Sequence, residues 1–252
     1  MTMPSSARLQ VHLYSAGAAR VWIEQCLSAS SWVGLANYTA RYAALQSTLN
    51  QVHQCLSQGL PCHLAVLTPE TAHELQQAWP ERVEHVGSLG RAVTGWVVLA
   101  GDQQVYDIST PEALGQTLRE LDVLLVPDLQ TSSGGRHLDR VLRQLHLKNS
   151  GIQTMQSFPG GAQAVAALKD HVGSRVMACA QATETQGADH ARYLGPFPAP
   201  FELSTEYLVV LVRPQPGPRA SQDAEAVRLA RDLGMHLCDP QLHARRTRLG
   251  FE

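Results

Sequence analysis

Three short clusters of small and hydroxylated residues carry most of the polar chemistry this 252-residue chain offers. They are Ser15-Ala16-Gly17-Ala18, Ser47-Thr48, and Thr131-Ser132-Ser133-Gly134-Gly135-Arg136. Each is expected to lie at a strand end, just ahead of a helix. A helix N-terminus leaves its first N–H groups unpaired and carries the positive end of the helix dipole, so it attracts anionic or strongly polar oxygens. A Ser or Thr in such a place is usually an N-cap whose hydroxyl satisfies one of those N–H groups. Either each cluster does only that, or the three together build a shared polar pocket, where the glycine pair would let a ligand approach the backbone closely. Arg136 either pairs with a carboxylate or oxyanion or stands exposed on its helix.

Other chemistry is sparse. The chain has no GxSxG elbow, no GxxxxGK[ST] loop, no GxGxxG fingerprint and no HExxH. Cys62-His63 and His236-x-Cys238 come nearest to metal-ligand spacing, and neither supplies the paired partner that a zinc site needs. No metal and no cofactor are therefore expected. Glu184, close to Gln181 and Thr183, is a candidate general base. The five cysteines are scattered, odd in number and without a CxxC pair, which suits reduced thiols.

The bulk numbers narrow the partners. With a formal net charge of -2, no global field favours nucleic acid or an anionic membrane surface. Arg245, Arg246 and Arg248 are expected to form a solvated helix end, where cations suit the outward-pointing carbonyls. No run of eighteen apolar residues occurs, so no membrane insertion is expected. The opening MTMPSSARLQ has neither the apolar core nor the cleavage site of a secretory signal, so the sequence as written reads as cytoplasmic. It would read as periplasmic if an export signal had been removed.

The elements that must position these residues alternate between strand and helix. Leu9, Val11 and Leu13 alternate with Gln10, His12 and Tyr14, a period of two that ends at Ser15. A helix with Ala18, Val21, Trp22 and Leu27 follows. Next are a strand over 37–44, a helix from Thr48 to Gln58, and the apolar strand Leu64-Ala65-Val66-Leu67. Thr68-Pro69-Glu70 and Thr110-Pro111-Glu112 each open a helix, with Thr as N-cap and Pro at the first helical position. Val97-Val98-Leu99, Val123-Leu124-Leu125-Val126 and 176–180 are apolar runs suited to strands covered on both faces. A strand over 205–212 and helices over 222–237 and 240–248 complete an α/β chain of mostly parallel sheet with helical crossovers.

Four stretches carry a family resemblance. They are Leu13-Tyr14-Ser15-Ala16-Gly17-Ala18, the run Asp107-Ile108-Ser109-Thr110-Pro111-Glu112-Ala113-Leu114, the segment from Pro127-Asp128 through Gly135 into His137-Leu138-Asp139-Arg140-Val141-Leu142, and Leu194-Gly195-Pro196-Phe197-Pro198 with the closing Gly250-Phe251-Glu252. In order and spacing, over nearly the whole chain, they resemble the molybdate-binding-protein-like branch of the type II periplasmic solute-binding proteins.

The resemblance implies two α/β lobes, 1–95 with 203–252 and 96–202, each a mostly parallel sheet flanked by helices, joined by two hinge crossings. It implies an oxyanion or small organic acid held in the interlobe cleft by backbone N–H groups and hydroxyls, as in the substrate-binding component of an ABC transporter with its permease. The contact loops would fall at Ser15, at Ser47-Thr48, at Ser132-Ser133 and near Gln181-Thr183. Relatives carry a Gly-Ser/Thr-Gly-Ala turn at the second loop; here the sequence is Ser47-Thr48-Leu49-Asn50, which implies a reshaped pocket. The wider fold also implies two alternatives, an isomerase of small polycarboxylates such as aconitate and a cytoplasmic ligand sensor. No helix-turn-helix fits before Leu9, so a sensor of this kind would not bind DNA directly.

Overall fold

The computed structural model describes residues 8–29, 31–148, 151–215 and 220–252. In chain order the elements are β1 (Gln10–Ala16), α1 (Arg20–Leu27), β2 (Asn37–Ala43), α2 (Leu45–Gln58), β3 (Leu64–Leu67), α3 (Pro69–Ala78), β4 (Val83–Leu99) and α4 (Pro111–Arg119). There follow β5 (Val123–Pro127), α5 (Ser133–Gln144), β6 (Met155–Phe158), α6 (Gly161–Ala167), β7 (Val176–Gln181), β8 (Ala191–Pro196), β9 (Leu203–Val212), α7 (Ala220–Cys238) and α8 (His243–Arg248). Short 3-10 turns sit at Gly17–Ala19, Leu168–His171, Ala182–Thr185 and Pro240–Leu242. No helix among the described residues is long and apolar enough to cross a membrane.

The chain forms two compact units, one running to Leu89 and resuming over Tyr207–Ala244, the other made of Gly90–Glu206 and Arg245–Glu252. The resemblance placed the divisions at 95/96 and 202/203; here they fall inside β4 and β9, at 89/90 and 206/207. A further division falls at 244/245. The C-terminus joins the second unit because Phe251 bridges Ala92, and Arg91 and Glu252 exchange two backbone hydrogen bonds of 2.9 and 2.8 Å.

In the first unit β1 pairs parallel with both β2 and β3, and β9 adds antiparallel to β3. Helices cover both faces of this sheet. Leu49, Val52 and Leu56 of α2 recur at helical spacing and pack on Ala65, Leu67 and Val210. Gly234 of α7 lies against Leu64 and Val209, which face the other way. Residues 226, 229, 230, 233 and 237 form the buried stripe of that helix. β3 accordingly has all four residues fully buried. Thr68 caps α3 in a capping box with Thr71, as the Thr-Pro signal predicts.

In the second unit β5 pairs parallel with β6 and β7, and residues 94–99 of β4 run antiparallel between β7 and β8. Trp96, Leu124, Val126, Leu138, Leu142 and Phe197 fill one side of the sheet. Val97, Leu125, Val165, Leu168 and Ala178 fill the other.

Two expectations change. β4 is 17 residues long, although only Val97-Val98-Leu99 reads as a strand in the sequence, because glycines at 87, 90 and 95 interrupt its pattern. Those glycines accommodate close neighbours rather than a break. A Cβ at Gly90 would overlap the Glu252 carbonyl, and the residue sits at φ +106°, a conformation that favours glycine. Arg246 departs from the solvated helix end: it is buried, whereas Arg245 and Arg248 are exposed. No disulfide links the five cysteines, and Cys26, Cys55, Cys62 and Cys179 are buried.

His63, just ahead of β3, is 2% exposed, and its Nδ1 accepts the His12 backbone N–H at 3.0 Å. Burial, and secondarily the nearby His12, push its pKa from 6.5 down to about 4. The unfolded chain therefore takes up this proton first. The stabilising contribution is complete above pH 6.5 and is lost as pH falls toward 4. His63→Asn keeps an acceptor and removes the titration. Between pH 7 and pH 4, chemical denaturation should show wild type losing ~3 kcal/mol more than the variant. A difference that stays constant over that range contradicts the assignment.

Candidate functional site

Two of the polar clusters meet in the first unit. β1 and β2 are parallel with Ala16 opposite Ala43, so both strands end at the same edge and both feed a helix. Ser15 is the penultimate residue of β1; it is fully buried, and its hydroxyl donates to the Ala16 carbonyl at 2.8 Å. Ala16 precedes the 3-10 turn that leads into α1, and Ala44 stands at the N-cap of α2. Neither provides a side-chain cap. The N–H groups of Leu45, Gln46 and Ser47, which have no partner within the helix, therefore go without a capping hydroxyl.

Ser47 and Thr48 were expected ahead of this helix and instead lie in its first turn, because Leu45 already packs on the core and Ala44 is the last extended residue. Ser47 is exposed. Thr48 is 1% exposed and makes no cap: its N–H donates to the Ala44 carbonyl at 2.9 Å and its hydroxyl to the Ser15 carbonyl at 3.3 Å. That second bond ties the start of α2 to the end of β1.

The third cluster and the Gln181-Thr183 loop share one edge in the second unit. β5 and β7 are parallel, with Leu125 opposite Ala178, so the turn after Pro127 and the turn after Gln181 share one edge. Asp128 organises the first of these turns. Its carboxylate accepts from the Gln130 N–H at 3.0 Å, the Thr131 N–H at 2.7 Å and the Thr131 hydroxyl at 2.7 Å. The Thr131 bonds, with that from Gln130, hold the carboxyl below its usual range. Ser132 is an ordinary N-cap, its hydroxyl accepting the Gly135 N–H at 3.3 Å, and Ser133 is exposed in the first turn of α5. Arg136 is exposed, and its Nη1 donates to the carbonyls of Gln130 and Thr131, both at 3.3 Å, so that it braces its own loop.

Gln181 and Thr183 are buried at the end of β7 and in the 3-10 turn after it. The Thr183 hydroxyl has no partner among the described residues. Glu184 is partly exposed as a residue, but its carboxylate lies inside, pressed on Gly161. Oε2 accepts the Gln181 N–H at 3.0 Å, and Ala162 also donates to the carboxylate. Burial outweighs these bonds and pushes the pKa up. The geometry gives this carboxylate a structural task, bracing the start of α6.

Sequence reasoning missed Thr94. It pairs with Gln181 across β4 and β7, and its hydroxyl is buried without a partner among the described residues. A single Thr in a glycine-broken run gives no signal of its own. Among the described residues no group of three or more His, Cys, Asp or Glu could hold a metal ion. The His236 ring packs against Trp32 in a tilted arrangement with centroids 5.5 Å apart, and Cys62 Sγ donates to the Leu64 carbonyl at 3.9 Å. An open cavity of about 290 Å³ lies in the first unit among Ala72, His73, Val83, His85, Leu208 and Val210, and none of the expected site residues lines it.

The glycine pair divides into two roles. A Cβ at Gly135 would overlap the Asp128 carbonyl, whereas a Cβ at Gly134 would meet nothing closer than 3.9 Å, at Ser132 Oγ and Thr94 Cγ2. Gly135→Ala should therefore cost about 1–3 kcal/mol of stability, as overpacking does. Gly134→Ala should be neutral or stabilising by up to about 1 kcal/mol. Equal denaturation midpoints for the two variants would refute this division.

No family model matches the sequence, and no curated protein does. Solved structures match it over nearly its whole length. The periplasmic molybdate-binding protein of Azotobacter vinelandii superposes with a TM-score of 0.64 at 12% identity, covering 96% of this chain and 98% of that one. The sulfate-binding protein SubI from Mycobacterium tuberculosis gives 0.57 at 15% identity over 96% and 91%. The bromide-bound regulatory domain of HypT from Salmonella typhimurium gives 0.54 at 13% identity over 92% and 99%. At such identities the likeness is one of fold. The chain has the two-lobed mixed α/β fold of the type II periplasmic binding proteins.

Proposed function

We propose that this protein binds a small oxyanion or small organic acid reversibly, at helix starts that follow its parallel strands. The observation that carries the reading is the start of α2, where no side chain caps the first-turn N–H groups and Ala16, at the end of β1, lies beside Ala43. Such a terminus presents aligned donors and a partial positive charge to an anion. The second unit adds the first turn of α5 and the buried Thr183 hydroxyl.

Solved structures of the same fold include proteins named for molybdate and for sulfate, which supports oxygen-bearing anions as the first ligands to test. Substrate delivery to an ABC permease is the role this reading implies, with the protein on the outer side of the cytoplasmic membrane. The likeness to the HypT regulatory domain supports a second reading, in which the same binding serves ligand sensing.

Thermal unfolding against molybdate, tungstate, sulfate, phosphate and citrate tests the binding step. A ligand present at a hundred times its dissociation constant stabilises by about 2.7 kcal/mol. At least one of these anions should raise the melting temperature saturably and titrate one-to-one by calorimetry. No shift with any of them, for a protein that is folded, would overturn the proposal.

A further inference from the structure

We infer that the Thr94 hydroxyl contacts the ligand in the second unit; this rests on the anion-binding reading above and adds a residue to it. Thr94 is 1% exposed, and its hydroxyl has no hydrogen-bond partner among the described residues. Buried hydroxyls are rarely left so, and valine would fill the same space without the desolvation cost. Its position is the second observation. Thr94 sits opposite Gln181, at the edge where β7 ends. Its γ-methyl lies 3.9 Å from the point a Cβ on Gly134 would occupy, and Ser132 Oγ lies 3.9 Å from that same point.

Thr94 thus stands over the first turn of α5. Ser132 caps Gly135 there and leaves the N–H groups of Ser133 and Gly134 without an intrahelical partner. The absence of a side chain at Gly134 leaves the space between them unfilled. Asp128 Oδ1 takes three donors and Glu184 Oε2 takes the Gln181 N–H, and no acceptor among the described residues lies within hydrogen-bond reach of the Thr94 hydroxyl. The acceptor that satisfies Thr94 is then an unprotonated oxygen brought in by the ligand, which accepts hydrogen bonds from the hydroxyl and from the α5 N–H groups.

Calorimetric titration with sodium molybdate and sodium sulfate tests this on wild type, Thr94→Val and Thr94→Ser. Wild type should bind at least one of the two, Thr94→Ser within about threefold of it, and Thr94→Val at least about tenfold more weakly. Ligand-free Thr94→Val should melt at or above the wild-type temperature, because it removes a buried orphan hydroxyl. Thr94→Ala replaces it in the titration if the valine variant does not fold. Binding by Thr94→Val within twofold of wild type overturns the inference and leaves the anion reading standing. Equal losses in Thr94→Ser and Thr94→Val assign the effect to packing and also overturn it. A folded wild type that binds neither anion removes both.

Discussion

Parallel strand pairing is the constraint from which the site follows. When β1 and β2 run in the same direction, with Ala16 beside Ala43, the segments leaving them must start helices at the same edge. β5 and β7 impose the same arrangement on the second unit. Each helix start carries roughly half a positive charge and several N–H groups that the helix cannot satisfy. Natural helices usually meet that demand with a capping side chain. Thr68 and Thr110 do so for α3 and α4. Ala44 does not for α2. At the candidate site α2 starts without a side-chain cap, and the Thr48 hydroxyl in its first turn ties the helix to the Ser15 carbonyl.

In the second unit the chain's own carboxylates have taken over donors that would otherwise face solvent. Asp128 gathers three of them and fixes the turn ahead of α5. Glu184 takes the Gln181 N–H and one from the start of α6, and its raised pKa records what placing a carboxylate inside costs. What a ligand would meet there includes a set of donors, the first-turn N–H groups of α5 and the Thr94 and Thr183 hydroxyls. Such a set favours oxygens that carry no proton of their own, since an O–H aimed at an N–H would be both unsatisfied and repelled.

Much of this was legible in the sequence, for reasons that differ by element. Thr-Pro-Glu before an apolar run marks a helix start through local chemistry alone, and both instances hold in the structure. The polar clusters at Ser15, Ser47-Thr48 and 131–136 stood out because strand, small polar residues and helix follow one another in the chain. Their pairing did not, since it depends on β1–β2 and β5–β7 register, which no local pattern encodes. Ser132 proved an ordinary cap while Thr48 proved a stitch, a distinction set by where α2 begins: one Leu packing on the core moved that start ahead of Ser47. Thr94 was invisible because β4 reads as broken. Its glycines answer to Cys238, Glu252 and Gly195, residues brought close only by the fold.

The central claim is that helix N-termini and buried hydroxyls at the strand ends hold an oxyanion. Tungstate in crystals of the protein tests it most directly, because tungsten is located by its anomalous scattering. The account predicts a strong peak whose surrounding oxygens lie within hydrogen-bonding reach of the first-turn N–H groups of α2 or of α5. Tungsten bound only elsewhere on the molecule, or no tungsten in crystals saturated with it, would contradict the account.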